Sequence, residues 1–352
     1  MSVPRCGAFV GIVAVALTFS SPLLADGRAV ELAVELGGRV AMAAALPSCL
    51  IAEGRDGQLD LQITVAPSVG GGGVKGVHGS CSAPDGAPAP ARARYRAVRF
   101  APESIGRTGS FCPTFSPDGR TVVYVRTGTG LVEARLETEG WTEPEPLPFS
   151  GTTSRDGDPF LSPDGSRLFF WSTRPATEGG TPAESSDLWV VERRADGWGA
   201  PRKVGAPVND AGGEPFPAVA ADGTLYFGSL RPGGRGGFDL YRARPNADGY
   251  AKPENLGIAI NSPAGELDGY ISPDQKVLVF ASDRPGGYGK LDLYVSHRMV
   301  GGWSPARNLG PAVNGPDDEF CPQLTRDGRL LLFSRSGGVY QIDAAALDDA
   351  TP

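Results

Sequence analysis

Histidine is almost missing from this chain: His78 and His297 are the only two in 352 residues. No Cys-x-x-Cys occurs either, so the usual ligand spacings of a tetrahedral zinc site are absent and zinc is not expected. There is no Gly-x-Ser-x-Gly elbow followed by Asp and His, and no alternating strand–helix pattern to carry one. That argues against the α/β-hydrolase type of peptidase or esterase. No glycine-rich phosphate loop opens a helix; Gly233-Gly234-Arg235-Gly236-Gly237 joins two apolar runs and reads as a loop. Lys and Arg form no stripe and the net charge is −7. Nucleic acid and anionic membrane surfaces are therefore not expected as partners. Past residue 25 no apolar run is long enough to span a bilayer.

Residues 1–25 read as an export signal. Arg5 supplies a basic start, Ala8 to Leu17 an apolar core, and Leu23-Leu24-Ala25 before Asp26 a cleavage site. An uncleaved anchor is the alternative reading. The mature chain is expected in the periplasm or outside the cell. It keeps Cys49, Cys81, Cys112 and Cys321. The 50 glycines and 32 prolines mark many turns.

One phrase recurs. Ser116-Pro117-Asp118-Gly119 returns as Ser162-Pro163-Asp164-Gly165, and more loosely at Asp222, Asp274 and Asp327. The five aspartates stand at 118, 164, 222, 274 and 327, so the steps are 46, 58, 52 and 53. A period of about fifty residues marks a repeat architecture. Each phrase is a hairpin turn: Pro presets φ, Asp bonds its own backbone, and Gly takes the positive φ. An apolar run follows each turn, such as Val122-Val123-Tyr124-Val125 or Leu168-Phe169-Phe170-Trp171, and reads as a buried strand. Then come Ser-x-Arg-Pro, a third strand such as Asp292-Leu293-Tyr294-Val295, and a Gly-aromatic pair that opens a fourth (Trp141, Trp198, Tyr250, Trp303).

Four short strands per repeat make one propeller blade, and closing a ring of blades removes the exposed ends of a linear stack. The fifth repeat lacks its fourth strand, while residues 95–102 form an orphan strand ahead of the first repeat. They are expected to complete the fifth blade. The fold class is therefore an all-β, five-bladed propeller, with six blades if residues 40–80 donate strands. The pattern resembles the WD40-like, Pro-Asp-type β-propeller repeat, a family that includes the TolB propeller and many exported bacterial proteins. The resemblance covers roughly residues 95–343 and implies fold more than function.

The expected organisation is a signal at 1–25, a small appendage at 26–81, an Ala/Pro-rich linker at 82–94, the propeller at 95–345 and a tail at 346–352. Within the appendage, residues 29–50 read as a helix, and Gln58 to Val65 and Val74 to His78 as strands.

Several residues share a register. Eight positions before the turn aspartates stand Asp156, Glu214, Glu266 and Glu319, with Ser110 in the first blade. Converging on the axis, with Asp268 nearby, they could hold Ca²⁺ or a basic peptide at a channel mouth. The alternative is that each bonds backbone N–H groups and sets blade spacing, as buried carboxylates usually do. Arg174, Arg231 and Arg284 recur with Asp187, Asp239 and Asp292, which suggests a structural pair within each blade. Cys112 and Cys321 both lie six positions before their turn aspartate, in blades that closure makes neighbours. A disulfide there would latch the ring; two buried thiols are favoured, because adjacent inner strands are expected to stand too far apart for the bond.

The chain is thus expected to be an exported, non-catalytic scaffold, with no cofactor beyond a Ca²⁺ ion, that binds an envelope protein or peptide. Its working face would include loop 176–186 and the loops of Arg235 and Lys290. The alternative is a carbohydrate-active enzyme using channel carboxylates, which would show non-repeating acids of raised pKa in a deep pocket.

Overall fold

The computed structural model describes residues 31–36, 39–45, 63–65, 77–79, 97–100, 103–151, 154–175, 185–210 and 212–348. Two units divide the chain, residues 1–90 and 91–352.

In the first unit, Glu31–Leu36 and Arg39–Ala45 pair antiparallel, with Leu36 opposite Arg39. The helix expected over 29–50 is therefore replaced by a hairpin. In the sequence, Gly-Gly stands between the two strands, a dipeptide that hairpin connections favour. Ile63–Val65 pairs with Val77–Gly79, close to the two strands expected there. None of these strands joins the blades, so the six-bladed alternative falls.

The second unit is the five-bladed propeller. The inner strands are Ser110–Phe115, Asp156–Leu161, Ala218–Val219, Glu266–Ile271 and Glu319–Leu324. Outer strands are Glu145–Pro146, Arg202–Lys203, Glu254–Asn255 and Arg307–Asn308 in blades one to four. The Gly-aromatic pairs do not open these strands. They fold back on the third strand as a hairpin, and the outer strand follows a few residues later. In the fifth blade Val98–Arg99 is the outer strand, with Arg99 opposite Tyr340 and Val98 opposite Gln341. The segment ahead of the first repeat thus closes the ring as expected. Among the described residues no helix is long and apolar enough to cross a membrane.

Local chemistry explains each turn. Ser116 Oγ donates to Asp118 Oδ1 at 2.5 Å and accepts the Thr121 N–H at 2.9 Å, while Asp118 accepts the Arg120 N–H at 3.0 Å. The same clasp recurs around Asp164, Asp274 and Asp327. In the second blade the Ser162 hydroxyl holds the Asp164 carboxyl down at about 2. The second strands that follow bury Phe169, Phe170, Tyr226, Phe227, Phe280 and Phe333 almost completely. Each such ring contributes on the order of 2–3 kcal/mol by leaving water.

Blades are joined by a repeated hydrogen bond. Glu214, Glu266 and Glu319 donate their N–H to the Ser186, Phe238 and Leu291 carbonyls of the preceding blade. The Gly-rich loops reach the same way. A Cβ on Gly236 would stand 2.1 Å from the Ala264 carbonyl oxygen, so only glycine permits the loop to lie against the next connection. Trp198 also crosses a blade boundary, donating Nε1–H to Glu133 at 2.9 Å.

Candidate functional site

The acids eight positions before the turns are held inside their blades. Asp156 meets Arg174 at 2.8 Å, Glu214 meets Arg231 at 3.3 Å, Glu266 meets Arg284 at 2.9 Å and Glu319 meets Arg335 at 2.6 Å. Backbone N–H groups of Asp210, Ser262 and Gly315 donate to the three glutamates. Their carboxylates fasten the connection between blades to the second strand. These are the contacts that the structural alternative expects.

The arginines correct a second expectation. Arg174, Arg231 and Arg284 pair with this acid set instead of with Asp187, Asp239 and Asp292. The guanidinium lies over two rings, with Arg284 Cζ 5.3 Å from the Phe280 centroid and 4.6 Å from Tyr294, and meets the Glu266 carboxylate on the inner strand. The third-strand aspartates find other partners. Asp187 takes Lys203 at 2.7 Å, Asp239 takes Asn255 and the Arg235 N–H, and Asp292 takes Asn308 and the Tyr288 N–H. Both sets remain structural.

The residues facing the axis lie two positions further on. Every inner strand except the third carries a register shift, and Cys112, Asp158, Phe216, Asp268 and Cys321 all have φ between 47 and 61°. Such a bulge turns one side chain out of alternation, and here five equivalent positions are turned to the same axis. The first and last are joined: Cys112 and Cys321 form a disulfide with Cα atoms 4.9 Å apart. The two thiols favoured on distance are corrected, because the bulges bring the strands within bonding range. The Cys112 N–H also donates to Ser334 Oγ at 2.9 Å, tying blade one to blade five.

Two carboxylates face this bond. Asp158 Oδ1 lies 3.1 Å from Cys112 Sγ and 3.7 Å from Cys321 Sγ, and Asp268 Oδ1 lies 3.4 Å from Cys321 Sγ. Ligand atoms of all four residues stand within 4.8 Å of one another. Asp268 is only 9% exposed. Among the ion pairs of the described residues, none involves Asp158 or Asp268. Burial pushes Asp158 up to about 7, against the Trp171 Nε1–H that donates to its Oδ2 at 2.5 Å. Burial, then the Asp158 charge, pushes Asp268 up as well. Gly157 makes room for that indole, since a Cβ there would meet the Trp171 ring at 2.5 Å. The cavity at this ring measures about 30 Å³, enough for a water or an ion.

Of the residues expected at the mouth, Asp268 belongs to this cluster; Cys112 and Cys321, expected as a ring latch or as buried thiols, are its other anticipated members. Asp158 and Trp171 were not anticipated. The signal was present, since the offset that aligned Cys112 with Cys321 also marks Asp158 and Asp268. Loop residues 176–184 lie outside the described residues, as do the signal, the linker and Cys49 and Cys81.

No family model and no curated protein matches the chain. Solved structures that it resembles include a putative TolB from Agrobacterium tumefaciens, 18% identical over 69% of this chain and 80% of that one, with a TM-score of 0.46. TolB from Acinetobacter baumannii is 16% identical over 67% of this chain and 54% of that one, TM-score 0.42, so the chain spans about half its length. An α-L-arabinofuranosidase from Lactobacillus brevis is 11% identical over 67% and 90%, TM-score 0.44.

Proposed function

We propose that this chain is an exported β-propeller scaffold that holds a protein or peptide partner on one end of its ring. The observation that carries the reading is a set of apolar side chains left in water there. Leu230 is 52% exposed, Ile258 78% and Tyr288 48%. All three sit on connections that leave the same end of neighbouring blades three and four. Exposed Arg235 and Lys290 flank them on the Gly-rich loops. An apolar centre with a charged rim is the usual anatomy of a partner surface. The leader-like start and the paired cysteines support export, because disulfides persist in oxidising compartments.

A photo-crosslinking residue placed at Ile258 or Tyr288 tests this in envelope extract, with Met299 at the opposite end as the control. A discrete adduct from the first two positions and none from Met299 is expected, and it should vanish in a Leu230→Asp variant. Equal labelling from both ends would end the proposal.

The carbohydrate-active alternative draws on one observation, that Asp158 and Asp268 break the repeat and are raised in pKa. The cavity of about 30 Å³ is roughly a tenth of an ordinary small-molecule pocket. Hydrolysis of an aryl glycoside that is lost in Asp158→Asn would restore that reading.

A further inference from the structure

We infer that the axial cluster, once the Cys112–Cys321 bond is opened, binds one Zn²⁺ ion through Cys112, Cys321, Asp158 and Asp268. The geometry comes first. Tetrahedral zinc with Zn–S of about 2.3 Å and Zn–O of about 2.0 Å has S···O edges of about 3.5 Å and an S···S edge of about 3.8 Å. The three S···O separations here are 3.1, 3.4 and 3.7 Å. Three of the six edges therefore already have about the required length, the ligand atoms all lie within 4.8 Å of one another, and the sulfurs must part. Rotation about their Cα–Cβ bonds separates them while the strands stay in place.

The second observation is the missing counter-charge. Asp156, Glu214, Glu266 and Glu319 each have an arginine within 3.3 Å. Asp268 is equally buried and faces the cavity with no basic partner among the described ion pairs. A buried carboxylate without a counter-charge is costly, and a divalent cation in the cavity supplies what it lacks. Trp171 Nε1–H occupies Asp158 Oδ2, which orients the carboxylate and leaves Oδ1 toward the sulfurs. Two thiolates with two carboxylates suit zinc, whereas Ca²⁺ and Mg²⁺ require oxygen around them.

The chemistry balances. Opening the disulfide takes two electrons and two protons. A dithiol supplies both and becomes a disulfide; in the tube, a phosphine with water does so and becomes its oxide. Zn²⁺ then displaces the two thiol protons. The bond that latches the ring and the metal compete for the same two sulfurs.

The test uses the chain with Cys6, Cys49 and Cys81 replaced by serine, reduced with a phosphine and freed of metal. One Zn²⁺ per chain is expected, with Co²⁺ giving thiolate-to-metal charge transfer and the visible bands of a tetrahedral ion. The oxidised protein should bind without thiolate bands and far more weakly. Trp171→Phe should weaken binding by about 10- to 100-fold, and Cys321→Ser should abolish the charge-transfer band of one thiolate. In the reduced protein Zn²⁺ should protect Cys112 and Cys321 from alkylation, a readout that needs no further substitution. If the reduced protein keeps its β circular dichroism and takes up no Zn²⁺, the inference is overturned. Uptake that leaves both cysteines freely alkylated, or that is equal in the oxidised protein, overturns it too.

Discussion

Two sets of acids stand two residues apart in the inner strands, the first buried and the second buried at Asp268 and half-buried at Asp158, and their surroundings are opposite. At the first position the acid recurs in four blades, and each copy is met by an arginine lying over aromatic rings. At the second position the ring reads Cys112, Asp158, Phe216, Asp268, Cys321, and neither aspartate has a basic partner among the described ion pairs. A repeated acid is a building part of the blade. The axial pair, present in only two of the five blades, is not part of the pattern that every blade repeats.

The largest effect should come from breaking the first set. Arg284→Ala leaves Glu266 charged and buried, and urea denaturation should register a loss of about 3–5 kcal/mol. Adding Glu266→Gln should recover part of it. The second set should respond with the opposite sign. Asp268→Asn in metal-free, oxidised protein removes a buried acid that has no basic partner among the described ion pairs and whose ionisation burial opposes, so its urea midpoint at pH 8 should equal or exceed that of the parent. A large loss there would put both acids in one class and dissolve the contrast.

A smaller effect distinguishes members of the first set. Burial, with a further contribution from neighbouring Asp210, pushes Glu214 up to about 7. Arg231 is shared, standing 3.3 Å from Glu214 and 3.6 Å from Asp210, and so does not hold the glutamate down. The folded protein binds this proton more tightly than the unfolded chain does. The contribution is therefore complete below about pH 4.5 and lost as the pH rises through 7. Thermal unfolding across pH 5 to 8 should show that decline, and Glu214→Gln should make it shallower, with Asp158 and Asp268 supplying the remainder.

The fold was legible because its signals are local. Ser-Pro-Asp-Gly closes a turn through its own hydroxyl and carboxylate, and the runs that follow are strands for lack of any polar face. Even the closing strand could be placed, since Val98 and Arg99 complete a blade that is one strand short. The helix expected over residues 29–50 gave way to the paired strands Glu31–Leu36 and Arg39–Ala45, because a short apolar, alanine-rich run fits either element. The axial site was missed for a different reason. Strict alternation cannot say which of two nearby acids faces the axis once a bulge intervenes. Ligands drawn one from each of four blades also have no spacing that a motif could show.

The chain's sequence by itself determined the period, the turn chemistry and the way the circle is shut, while the count of five blades needed the strand pairing. The first three follow from short-range bonding and from the need to cover strand edges. Only the tertiary structure decided that the arginines turn inward to the first acid set, that the cysteines meet, and that Asp158 and Asp268 share one cavity. Those outcomes depend on a positive φ in separate strands and on ring stacking, both of which exist only after the blades have packed.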